Sequence, residues 1–151
     1  MTALSSDVRG FRATMILCNY AVVTEDLLHI NGGGWTTIDS RMAQSAIALI
    51  IGVPWNETNR PINFRLELHN EDGHPQRQVG NESENPVEID GQFEVGRPAG
   101  YPPGQHVDWK IALLIPPLQL PPGGRFSWAL SIDGRSSADW VAPFSTRPVS
   151  T

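Results

Sequence analysis

The chain reads as an all-β protein, an antiparallel β-sandwich that is immunoglobulin-like in the broad sense, with about eight or nine strands. Three observations predict this. Residues 125–132 alternate cleanly, with Phe126, Trp128, Leu130 and Ile132 on one side and Arg125, Ser127, Ala129 and Ser131 on the other. Successive strand side chains point to opposite faces, so this stretch has one buried face and one wet one. The same alternation recurs at residues 62–69 and 107–115. Thirteen prolines and fourteen glycines punctuate the chain, and no segment carries a sustained helical stripe. A closed β-barrel is the runner-up architecture.

Each element follows from local chemistry. Residues 1–10 read as a tail, and residues 11–148 as a single domain. Residues 14–23 and 27–30 are apolar runs separated by turn-like Thr24-Glu25-Asp26, which predicts a hairpin. Asn31-Gly32-Gly33-Gly34 then breaks the pattern before residues 35–38. Residues 45–53 (Ser-Ala-Ile-Ala-Leu-Ile-Ile-Gly-Val) form the most apolar segment. Their isoleucine content, short length and following Pro54 favour a strand covered on both faces over a buried helix. Residues 54–61 form a polar loop. In the next strand Ile62, Phe64, Leu66 and Leu68 alternate with Asn63, Arg65, Glu67 and His69, and Asn70-Glu71-Asp72-Gly73 closes it with hairpin turn chemistry. A short strand is expected at residues 76–79 and another within 87–95. Residues 96–104 hold three prolines and three glycines and read as a loop. Val107, Trp109, Ile111, Leu113 and Ile115 line one face of a strand that Pro116-Pro117 ends. After residues 125–132, Asp133-Gly134 turns the chain. Residues 140–144 form the last strand, where Pro143 predicts an edge position, and residues from 145 onward read as tail.

Composition narrows the function classes. A length of 151 residues with 40% hydrophobic and 18% charged residues suits one globular domain. Net charge is −5, and the eleven basic residues, ten of them arginine, are scattered. This argues against a nucleic-acid partner, which calls for a basic face. The only cysteine is Cys18, so no internal disulfide forms. The first residues lack a basic segment followed by an apolar core. The longest apolar run is about eight residues, against roughly 20 for a membrane span. The expectation is a soluble, cytoplasmic protein with no membrane role. The sequons at Asn56 and Asn81 then read as chance matches.

Several groups invite a chemical reading, and each has a plainer one. The Gly32-Gly33-Gly34-Trp35 run suggests a phosphate cradle, but such loops lead into a helix with a lysine nearby. A strand-like segment follows here, so a loop or bulge is preferred. His69, Glu71, Asp72 and His74 are the densest set of metal-ligand types, with His106 and Asp108 as distant additions. Their spacing is not that of a zinc site, and the composition is that of an ordinary turn. No metal and no cofactor is expected. Cys18 sits among apolar residues with no basic neighbour, which suits a buried thiol better than a nucleophile. Trp109 and Trp128 fall in the apolar register of their strands and are expected in the core. Trp35 and Trp140 are left open. Trp55 lies in a loop beside Arg60, and both residue types recur at binding hot spots. Its alternative role is to plug the open end of the sandwich. Tyr101 sits in the proline-rich loop 96–104.

Three segments carry a resemblance: Ile16-Leu17-Cys18-Asn19-Tyr20-Ala21, Asn31-Gly32-Gly33-Gly34-Trp35 and Val53-Pro54-Trp55-Asn56-Glu57-Thr58-Asn59-Arg60-Pro61. With Leu120-Pro121-Pro122-Gly123-Gly124-Arg125-Phe126-Ser127-Trp128 they resemble an uncharacterised, mostly actinobacterial family catalogued as a domain of unknown function. The resemblance covers residues 13–148. It implies a small intracellular bacterial protein and brings no activity or catalytic residue.

The reading that follows is a non-enzymatic interaction module acting by self-association, as a homodimer, or by docking to a protein partner. Trp55, Arg60 and Tyr101 are the expected contacts. The alternatives are a small-ligand or carbohydrate binder at the loop end of the sandwich, with metal help from His69 and His74, and an enzyme built from distant carboxylates and histidines.

Overall fold

The computed structural model describes residues 10–80 and 86–149. Of the expected tail only Gly10 is described, and the Asn81 sequon lies outside the described residues. The chain forms twelve strands among these residues: β1 (Arg12–Cys18), β2 (Tyr20–Thr24), β3 (Leu27–Asn31), β4 (Thr37–Ile38), β5 (Arg41–Met42), β6 (Ser45–Val53), β7 (Ile62–Asn70), β8 (Glu88–Phe93), β9 (Val107–Ile115), β10 (Leu118–Gln119), β11 (Arg125–Ile132) and β12 (Arg135–Thr146). A single 3-10 turn, Trp55–Glu57, lies between β6 and β7.

The all-β, antiparallel architecture is as the alternation dictates. A three-stranded sheet ordered β1-β6-β9 packs on a five-stranded sheet ordered β4-β12-β11-β7-β8. The one parallel pairing among the described residues joins β12 to β4 at Ser145–Thr37 and Thr146–Ile38. On β6, Ile47, Leu49, Ile51 and Val53 face the shared core, flanked in register by Leu17 and Met15 of β1 and Leu113, Ile111 and Trp109 of β9. From the other sheet Phe64, Leu66 and Leu68 of β7 and Phe126, Trp128, Leu130 and Ile132 of β11 meet them.

The other face of β6 is covered as well. Ala46 and Ala48 are buried with Cys18 and Ala21 in a second, smaller cluster, with Ile16, Leu28 and Ala112 packed against it. The β2–β3 hairpin therefore lies over the outer face of the three-stranded sheet. The alanines at 46, 48 and 112 keep that face low enough for a second layer to approach. The apolarity of residues 45–53 thus has two cores as its cause.

The strand count exceeds the eight or nine expected for two reasons, even though one expected strand is absent. The apolar run 14–23 divides at Asn19, whose N–H donates to Asn31 O at 3.0 Å. Its first half stays in the sheet as β1, and its second half pairs with β3 through a turn in which Glu25 and Asp26 both have positive φ, 52° and 61°. Strands β4, β5 and β10 are two residues long, too short for any period to show. Residues 76–79 form no strand; Gln76 N–H instead donates to Leu68 O at 2.8 Å.

The chain end also differs from expectation. β12 begins at Arg135 and continues to Thr146, so Ser145 belongs to a strand and not to a tail. Ser145 N–H donates to Thr36 O and Arg147 N–H to Ile38 O, both at 2.9 Å. Pro143, two residues before Ser145, has its nitrogen on that same outer side, beyond the end of β4. The missing N–H falls where no strand partner is present, as an edge requires.

Two glycines act by close approach. A Cβ on Gly32, where φ is 61°, would sit 2.2 Å from Asn19 Nδ2. The glycine run thus turns the chain tightly around Asn19 and leads into β4, without a helix that could cradle phosphate. Gly91 lies opposite Phe64, whose ring occupies the space a side chain would take.

Candidate functional site

The sequence-selected residues fall in different settings. Trp55 is half-buried, and the Arg97 guanidinium lies 4.2 Å from the centre of its ring. Arg97 Nη2 also donates to Trp55 O at 2.7 Å, and its Nε to Thr58 Oγ1 at 2.8 Å. The Thr58 hydroxyl itself donates to Trp55 O. The loop after β6 is thereby clamped to the β8–β9 connection. Arg60 clamps it elsewhere, donating to Glu57 Oε1 (Nη2 at 2.5 Å) and to Asp133 Oδ2 (2.9 Å). The hydrogen bonds to Glu57 and then to Asp133 hold the Arg60 pKa above its ordinary value. Asp133 also accepts from Asn63 N–H, which fixes the β11–β12 turn against β7. Tyr101 packs against the main core. Trp55 and Arg60 thus share a loop but face different neighbours, and both carry internal interactions that order the loop end.

The tryptophans sort differently from their grouping by sequence. Trp128 and Trp140 are fully buried. Trp109 lies on the core face of β9 but is half-buried, stacked on Phe93 with ring centres 3.8 Å apart. Trp35 is half-buried against Phe144, edge to face at 5.5 Å.

His69 is placed beside Glu67, with Nε2 3.2 Å from Oε1. His74 serves the turn through its backbone: its N–H donates to Asn70 Oδ1 and its carbonyl accepts from Asn70 N–H. No group of three His, Cys, Asp or Glu side chains able to hold a metal ion occurs among the described residues. His106 Nε2 lies 2.5 Å from Gly10 O, at the start of the described chain.

Cys18 is fully buried, with its thiol against Ala46 O at 3.5 Å. Burial pushes its pKa up, and backbone hydrogen bonds at Ala48 and Tyr20 offset part of that. The native protein should therefore react with a small thiol reagent roughly a hundredfold or more slowly than the urea-unfolded chain, because labelling must wait for local opening. Equal rates in a stopped-flow thiol assay would contradict this burial.

Sequence reasoning missed the exposed surface of the β2–β3 hairpin. Its inner side carries Ala21 and Leu28 onto the second core. Its outer side presents Tyr20, Val22, Thr24, Leu27, His29 and Asn31. Among these, Tyr20 is 47%, Val22 39% and Leu27 59% exposed. None of the six is an aspartate, glutamate, lysine or arginine. Leu114 of β9, on the same outer face of the sheet, is also exposed. The signal that could have found this surface is the apolar run 14–23, longer than one half-buried strand needs.

Among the described residues no helix is long and apolar enough to cross a membrane. Residues 13–141 match a family of unknown function (DUF6941), and the chain belongs to that family. No curated protein and no solved structure matches it.

Proposed function

We propose that this member of a family without an assigned activity is a non-enzymatic interaction module that pairs with a second copy of itself through the outer face of the β2–β3 hairpin. The observation that carries the reading is the uncharged, apolar surface of Tyr20, Val22 and Leu27 on a chain of net charge −5. Two copies of an acidic protein repel one another, and an uncharged face is where they meet at least electrostatic cost. A two-fold axis would set each hairpin against its equal, so that the same patch serves both sides. The hairpin is supported from beneath by the second core and held at its tip by Lys110, whose Nζ lies 3.5 Å from Asp26 Oδ2. The loop end is less suited to this role, because the polar groups of Arg60 and Arg97 are committed within the fold.

Sedimentation velocity over a range of concentrations tests the reading. The wild type should dimerise, and Val22→Asp or Leu27→Asp should weaken dimerisation roughly tenfold or more, with the far-ultraviolet dichroism unchanged. A wild type that remains monomeric overturns self-association. A dimer indifferent to both substitutions overturns the surface.

A further inference from the structure

The outer face of the five-stranded sheet carries a cleft of about 580 Å³, remote in the fold from the hairpin and built on different strands. Such a volume lies within the roughly 300–1,000 Å³ of small-molecule sites. Register explains what lines it. Ser136 of β12 stands opposite Ser131 of β11, Ser131 opposite Arg65 of β7, and Arg65 opposite Asp90 of β8. These four side chains form one row across four strands, on the face away from the core. Glu67 and Asn63 lie to either side of Arg65 on the same face of β7. The glycine at 134 and the two serines leave the row low, which makes the surface concave.

The row divides into a committed end and an open end. Arg65 Nε donates to Asp90 Oδ1 at 2.7 Å, and its Nη1 lies 3.8 Å from Glu67 and 4.0 Å from Glu88. Asn63 Oδ1 accepts from Gln92, which leaves the Asn63 amide N–H₂ without a partner among the described residues. The hydroxyls of Ser131 and Ser136 also have none among the described residues. The cleft therefore offers unused donors and acceptors beside a charged pair. Three carboxylates around one guanidinium disfavour an anion. Besides Phe64, whose ring belongs to the core, and the glycines Gly91 and Gly134, every side chain lining the cleft is polar or charged, so a ligand there must meet hydrogen-bonding groups as well as apolar surface. An ammonium ion only donates hydrogen bonds and leaves the Asn63 N–H₂ unused, whereas a neutral molecule carrying many hydroxyl groups can both donate and accept along the row.

We propose that this cleft is a carbohydrate-binding site, taking one neutral pyranose unit against the row Ser136, Ser131, Arg65 and Asp90. Groups repeating about 4.8 Å apart across strands can reach hydroxyls on opposite sides of a sugar ring. Hydroxyls that both donate and accept suit the serines and Asn63.

Amide chemical-shift mapping on the full chain tests this, with methyl α-glucoside, methyl β-galactoside and methyl β-N-acetylglucosaminide as probes and putrescine and inorganic phosphate as controls. Saturable shifts confined to the backbone around Asn63, Arg65, Asp90, Ser131 and Ser136 with at least one glycoside are expected. The solvent-facing substitutions Ser131→Ala and Ser136→Ala should each weaken that binding about two- to tenfold, with the dispersion of the spectrum intact. The proposal is overturned if no glycoside shifts these residues, if only putrescine or phosphate does, or if the double serine variant binds as the wild type does.

Discussion

Trp128→Ala is expected to destabilise the fold by about 3–5 kcal/mol, as removal of a fully buried tryptophan does. Trp128 is 1% exposed at the middle of β11, the strand at the centre of the larger sheet. Leu68 and Ala142 flank it in register, and the core side chains of β6 approach from the opposite sheet. An interior of this kind cannot collapse around the loss from one side only, because both sheets hold their spacing through many other contacts. Against a total stability of about 5–15 kcal/mol for a domain of this size, the variant should be near the limit of folding. Urea unfolding followed by dichroism gives the difference. A loss below about 1 kcal/mol would contradict a core shared between the sheets at this position.

Gly91→Ala should cost about 1–3 kcal/mol, a large effect for one methyl group. The added Cβ would lie 2.3 Å from Phe64 Cε1 and 2.5 Å from Cζ. The ring has little room to retreat. Trp109 packs 5.5 Å from it and Phe93 6.2 Å from it, and those two stack on one another at 3.8 Å. The clash should be specific to this pair, so Phe64→Leu in the Gly91→Ala background should cost less than the sum of the two single changes. A double-mutant cycle in urea reads the coupling. Strict additivity would show that the ring does not hold Gly91 in place.

Much of the sandwich is legible in single strands. The alternation at 62–69, 107–115 and 125–132 assigns each side chain to its face, and pairing in register turns those faces into one core. The continuous apolarity of 45–53 marks a strand with cover on both sides. Periodicity is silent, though, on where an apolar run changes layers. Nothing in residues 14–23 marks Asn19 as the corner except the distant Gly32, which makes room for its side chain. The polar first half of β12, left out of the strand expected at 140–144, shows no alternation because both its faces are largely wet there. Partnerships over long range are equally hidden. Arg97 meets Trp55 across 42 residues and Arg60 meets Asp133 across 73, so a loop that looks like a free tryptophan and arginine is an ordered clamp. Likewise Ser131, Ser136 and Arg65 look like ordinary solvent-facing residues until register sets them side by side.

The β2–β3 layer rests on alanines, a cysteine and a few half-buried side chains, whereas the sheets beneath it share large aromatic and aliphatic groups. Stability scales with the apolar surface removed from water, so this layer should detach at a lower free energy than the rest of the protein unfolds, as an independent cooperative unit. Lifting it would uncover Cys18 while Trp128 stays enclosed. The thiol is thus a built-in reporter of a partial opening, and any protein that binds across the hairpin would slow its labelling without touching the sulfur.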